Sequence, residues 1–149
     1  MNSTLRPASI WVAWLSVVSV GVMLFGLVLV VAPAVAQRGF SLLIYAEPAH
    51  ISSFGAEAVK YIGLAHAVLG GAMLGWGLSL LIIVRRLFAC GSRLGWQLIS
   101  FSVAAWFVAD TTYSLTSGFR SNAMLNLVFV ALFAVPLVAS YRVCNEPDA

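Results

Sequence analysis

Three polar side chains stand inside otherwise apolar stretches of this sequence: His66, Asp110 and Asn126. An imidazole, a carboxylate and a carboxamide can together hold a small polar headgroup or pass a proton. In lipid each is costly unless it meets a partner or a wet cavity. Taking the outer ends of their helices near Ala58, Leu115 and Asn122, they lie about eight, five and four residues inward. At 1.5 Å per residue these depths are about 12, 8 and 6 Å, within one leaflet. The second-ranked reading is a shared polar pocket, with Tyr113, Ser114 and Asn122 above it and Trp106, one turn from Asp110, walling it or merely packing in the core. The plainer alternative is that Asp110 pairs with His66 or Arg120 and only sets helix register, a role that contributes about 1–2 kcal/mol or less in membrane bundles.

Other chemistry is poorly supported by the same residues. Ser114 follows Asp110 by one turn, but nothing puts His66 between them as a triad would require. His50 lies in a loop and Cys90 and Cys144 lack neighbouring ligands, so neither a haem nor a metal site is expected, and no cofactor. The glycines sit within an apolar helix, not between a strand and a helix, which excludes a phosphate loop. No catalytic residue is assigned.

The elements that must position these groups are set by composition. The chain has 149 residues, 62% hydrophobic and 9% charged, with a mean hydropathy of +1.00. A soluble protein of this size has no core large enough to hide so much apolar surface. The fold class expected is an all-α integral membrane protein: a single domain of four antiparallel transmembrane helices at about 10–32, 53–84, 94–115 and 122–141. The net charge of +3 resides in arginines and a lysine that flank apolar segments. No basic stripe for nucleic acid exists.

Residues 33–56 form the longest connection, in which Phe40–Tyr45 is too short to cross and too apolar to float free. It is expected as a turn or two lying in the interface or tucked against the bundle. Ala34-Val-Ala36 resembles a signal-peptidase site, but the preceding apolar run is about twice the usual 7–15 residue core of a signal. Pro136 should kink or loosen the end of the last helix. The terminal tails are short and polar. Trp11, Trp14 and Trp96 suit the headgroup level.

The second span has an unusual face. Gly63, Gly70 and Gly77 recur every seven residues, with His66 and Met73 on the same stripe. A second row of small residues, Gly63, Ala67, Gly71, Gly75 and Ser79, recurs every four. Such a helix invites close approach by others, here helices three or four or a second copy. Arg6, Arg85, Arg86, Arg93 and Arg142 fall on one side, against Arg38, Lys60 and Arg120 on the other. That bias places the termini in the cytoplasm and both cysteines, as free thiols, in a reducing compartment.

Residues 63–77 (GLAHAVLGGAMLGWG) and 105–127 (AWFVADTTYSLTSGFRSNAMLNL) resemble parts of uncharacterised small four-helix bacterial membrane proteins. The resemblance implies four helices and a bacterial inner-membrane setting, and no activity. Two functions are therefore expected in order: a scaffold or accessory subunit, surrounded by lipid, that packs against other membrane subunits or copies of itself; and a ligand-binding or transport protein for an amphipathic molecule such as a quinone.

Overall fold

The computed structural model describes residues 6–145; the outermost residues of both expected tails lie outside the described residues. Every described element is helical. In order they are α1 (Ser9–Val31), α2 (Pro33–Tyr45), a 3-10 turn (His50–Ser53), α3 (Ala56–Arg86), a second 3-10 turn (Phe88–Cys90), α4 (Arg93–Thr116), α5 (Arg120–Ala139) and α6 (Tyr141–Asn145). α1, α3 extended through Cys90, α4 and α5 are long and apolar enough to cross a membrane.

The principal departure from expectation is α2. The stretch after Pro33 is a 13-residue helix rather than a loop with a turn or two. Pro33 stands at its first turn, where the missing N–H is no loss and the fixed φ suits a helix start. Ala32, with φ −131° and ψ 58°, breaks the run from α1 and lets α2 leave at an angle. Ala36 and Ser41 are buried and Phe40 is half-buried, and the Gln37 amide donates to the Val59 carbonyl at 3.1 Å, tying α2 to the first turn of α3. Ala46 ends α2 in the left-handed conformation (φ 56°), returning its N–H to the Leu42 carbonyl. Beyond it Tyr45 stacks on His50 at 4.0 Å, and Phe54 meets His50 edge-on.

α3 packs along α1, and α4 pairs with α5; α3 and α4 touch much less. This corrects the expected partners of the glycine face. A Cβ on Gly70 would come within 2.5 Å of the Gly26 carbonyl oxygen, and one on Gly26 within 2.6 Å of the Gly70 oxygen. A Cβ on Gly77 would meet Met23 Cγ at 2.7 Å and the Ser19 oxygen at 2.9 Å. Gly70 and Gly77 of the seven-residue stripe thus form the seam with α1. Gly63 faces Gln37 of α2, whereas Gly71 and Gly75 have nothing within 4 Å and lie outside the seam. On the α1 side, Ser16 and Ser19 donate to the carbonyls of Val12 and Leu15, both at 2.7 Å, which satisfies their hydroxyls within the helix.

The buried core joins Leu15 and Val22 of α1 to Leu80 and Val84 of α3, Phe88, Ile99 and Val103 of α4, and Phe133 and Leu137 of α5. Two of the tryptophans expected at the interface bond to the backbone of α5. Pro136 carries no N–H, so the Leu132 carbonyl loses its helical donor. The Trp14 indole N–H of α1 donates to that carbonyl at 2.9 Å. The Trp96 N–H donates to the Leu137 carbonyl, in the last turn of α5, at 2.8 Å. Both indoles therefore satisfy backbone groups that α5 leaves open.

Candidate functional site

The α1–α3 pair and the α4–α5 pair do not close on one another along their whole length. Between them, and roofed by Phe40 of α2, lies a cavity of about 260 Å³. Val22 and Phe133 belong both to the core and to its wall. Aromatic rings dominate the lining: Phe25, Phe40, Trp76, Trp106, Phe129 and Phe133. Trp76 lies 5.9 Å from Trp106 and 6.3 Å from Phe133, centroid to centroid. Its N–H donates to Ser102 Oγ of α4 at 2.6 Å, which fixes the ring as a spacer between α3 and α4.

The polar groups in the wall are Asp110, Asn122 and Asn126. They are held by one side-chain network. Asp110 and Ser114 stand one turn apart on α4, and the Ser114 hydroxyl donates to Asp110 Oδ1 at 3.2 Å. Asn122, in the first turn of α5, uses Nδ2 for both of them, at 3.0 Å to Asp110 Oδ1 and 2.8 Å to Ser114 Oγ. Asn126, one turn deeper and buried, donates to Thr111 Oγ1 at 3.2 Å. The short connection between α4 and α5, turned by Gly118 at φ 82°, brings these two helix ends together. Only glycine takes that φ without strain.

The residues singled out from sequence separate into three groups. Asp110, Asn122, Asn126 and Trp106 line the cavity, and Ser114 lies behind Asp110 as a donor. Tyr113 does not belong: it is 67% exposed, on the outer face of α4. His66 does not join Asp110 either. Its ring stacks on Phe40 at 5.0 Å and 17°, and Nδ1 is buried without a hydrogen-bond partner. Equal depth along two helices does not specify rotation about them, and the α3 face that carries His66 turns toward α2. Nor does Asp110 pair with Arg120: the only ion pair among the described residues joins His50 and Glu47 at 3.8 Å.

Sequence reasoning missed Thr111, Phe25, Phe40, Phe129 and Phe133. The phenylalanines carry no signal that separates a cavity wall from a packed core or a lipid-facing surface. Thr111 is next to Asp110 in sequence and so points about 100° away from it around the helix. Among the described residues, no three His, Cys, Asp or Glu side chains come together as metal ligands. In comparisons with protein families, curated proteins and solved structures, the chain matches none.

Proposed function

We propose that this is a multi-pass protein of the bacterial inner membrane whose four spans run antiparallel and enclose a binding cavity for an amphipathic small molecule. The observation that carries the binding reading is the cavity itself: aromatic walls with Asp110, Asn122 and Asn126 as its polar groups. Small-molecule sites have this make-up, mostly apolar with few convergent polar groups. Asp110 makes no ion pair among the described residues, so the register-setting pairing with His66 or Arg120 does not account for it. The antiparallel, membrane-embedded arrangement is supported by the outward display of apolar side chains, with Val17, Phe101 and Val138 each at least 70% exposed. The Trp14 bond also ties the N-terminal half of α1 to the C-terminal half of α5. The arginine bias favours cytoplasmic termini.

The test uses 1-naphthol as a probe and native mass spectrometry of the protein in mild detergent. One naphthol per chain is expected, lost when Leu125→Trp fills the cavity and weakened by Asp110→Asn without change in oligomeric mass. An adduct that survives Leu125→Trp would exclude the cavity as the site.

A second reading is favoured by a different observation. Gly71 and Gly75 lie one turn apart with open space above them, a surface on which another membrane subunit or a second copy could lie. In this reading the protein is a scaffold or accessory subunit. Gly71→Leu or Gly75→Leu should then reduce the mass of the detergent complex; an unchanged mass would count against it.

A further inference from the structure

Resting on the binding reading above, we infer that the molecule taken by the cavity is a small lipophilic amine, bound as its ammonium form with the charge on Asp110 Oδ2. Asp110 is the one ionisable residue in that wall. Both donors that reach it, Ser114 Oγ and Asn122 Nδ2, bond to Oδ1. Among the described residues Oδ2 accepts no hydrogen bond, and it is not one of the buried unpartnered atoms. Asn122 spends both Nδ2 protons, on Asp110 and on Ser114, so its carbonyl oxygen is the atom left over. Asn126 has one Nδ2 proton committed to Thr111, and its oxygen is likewise free. Three acceptors, one of them a carboxylate oxygen, therefore remain.

The uncommitted donors are the Trp106 N–H and the second Nδ2 proton of Asn126, and neither carries charge. Trp76 contributes ring surface alone, since its N–H is held by Ser102. Negative ring faces together with a carboxylate attract a cation. An anion would meet Asp110 with no basic side chain to offset it, and a quinone carbonyl, itself an acceptor, would face mainly acceptors. The volume of about 260 Å³ lies just below the usual range for drug-sized ligands, which restricts the apolar body to a ring or a short chain. A protonated amine supplies the donors that the wall lacks.

Three probes of one skeleton test this: 4-phenylbutylamine, 4-phenylbutanol and 4-phenylbutyrate. Each is titrated by calorimetry into the full-length protein in phosphatidylcholine nanodiscs, with empty nanodiscs as blank. The amine should bind at least about tenfold more tightly than the alcohol, and the butyrate most weakly. Asp110→Asn should bring the amine to the level of the alcohol in the same variant, weakening the amine at least about tenfold more than it weakens the alcohol. Alcohol or butyrate binding as tightly as the amine overturns the inference, as does an amine affinity unmoved by Asp110→Asn. If Asp110→Asn does not fold, the ranking of the three probes on the unaltered chain decides. If the alcohol binds, Leu125→Trp abolishes it and the amine has no advantage, the cavity reading survives and the amine does not. If no probe binds the unaltered chain, both fall.

Discussion

The bond from Trp14 to Leu132 predicts a thermodynamic coupling that a membrane-interface tryptophan would not show. Trp14→Phe keeps an aromatic ring and removes the N–H, leaving the Leu132 carbonyl without the donor 2.9 Å away. The helix cannot replace it, because Pro136 occupies the position four residues on. Leaving such an acceptor unmatched in apolar surroundings costs about 1–3 kcal/mol. Pro136→Ala restores a backbone N–H at the correct spacing, so the same Trp14→Phe change should then cost little beyond lost ring area. The cycle of the two single variants and the double variant should give a coupling of about 1–2 kcal/mol, within the range for residues sharing one hydrogen-bonded group. The assay is reversible unfolding by SDS in mixed micelles, followed by far-ultraviolet circular dichroism so that loss of an indole does not alter the signal. Equal costs of Trp14→Phe with proline and with alanine at position 136 would refute the reasoning and return Trp14 to an interfacial anchor.

Two further predictions follow from packing and burial. Gly70→Ala should be less stable than Gly71→Ala by about 1–3 kcal/mol in the same assay: helix propensity cancels between them, while the Cβ meets the Gly26 oxygen at 2.5 Å in one case and open space in the other. Equal stability would mean that the α1–α3 seam is looser than described. Cys90, exposed, should be alkylated by a maleimide much faster than buried Cys144, whose thiol is pushed up by desolvation. The alkylation rate of Cys144 should keep climbing as pH passes the ordinary thiol value. The stability that its protonated form contributes is full below that value and is lost as pH rises through its own, higher pKa. Equal rates for the two cysteines would contradict the placement of α6.

The four long helices were legible because each is a predominantly apolar run of sufficient length, a property of local composition. The Asp110–Ser114–Asn122 cluster was partly legible for a related reason: the connection between the last two long helices is short enough to bring their ends together. Helix pairing was not legible. The stripe through Gly63, Gly70 and Gly77 marks a close seam but does not name the partner, and Gly26, its counterpart on α1, is a lone glycine with no periodicity to announce it. α2 was hidden because Pro33 was treated as a boundary of a loop, when a proline equally opens a helix. His66 was misplaced because depth was reasoned without rotation. Trp14 and Trp96 were assigned by their nearness to helix ends, while their indole protons are used by carbonyls 118 and 41 residues away, at Leu132 and Leu137.

The close seam and the cavity have a common origin in how residue size is distributed around α3. Successive helical residues point about 100° apart, so Gly77 and its neighbour Trp76 face different helices. Gly77, with Gly70, lets α1 approach until backbone atoms meet, while Trp76 reaches to Ser102 and holds α4 away. Had the bulk been spread evenly around α3, α1 and α4 would sit at similar distances and the interior would fill. Here one side of α3 is emptied and the other enlarged. Below Val22 and Phe133 the aliphatic core closes the gap; above them the remaining neighbours are Phe25, Phe40 and the Asp110–Asn122 cluster. A carboxylate whose only polar neighbours donate to one of its two oxygens is costly in such a place unless something occupies the other. On the proposed binding reading, that residual oxygen, rather than the histidine, is the feature on which the chemistry of the cavity turns.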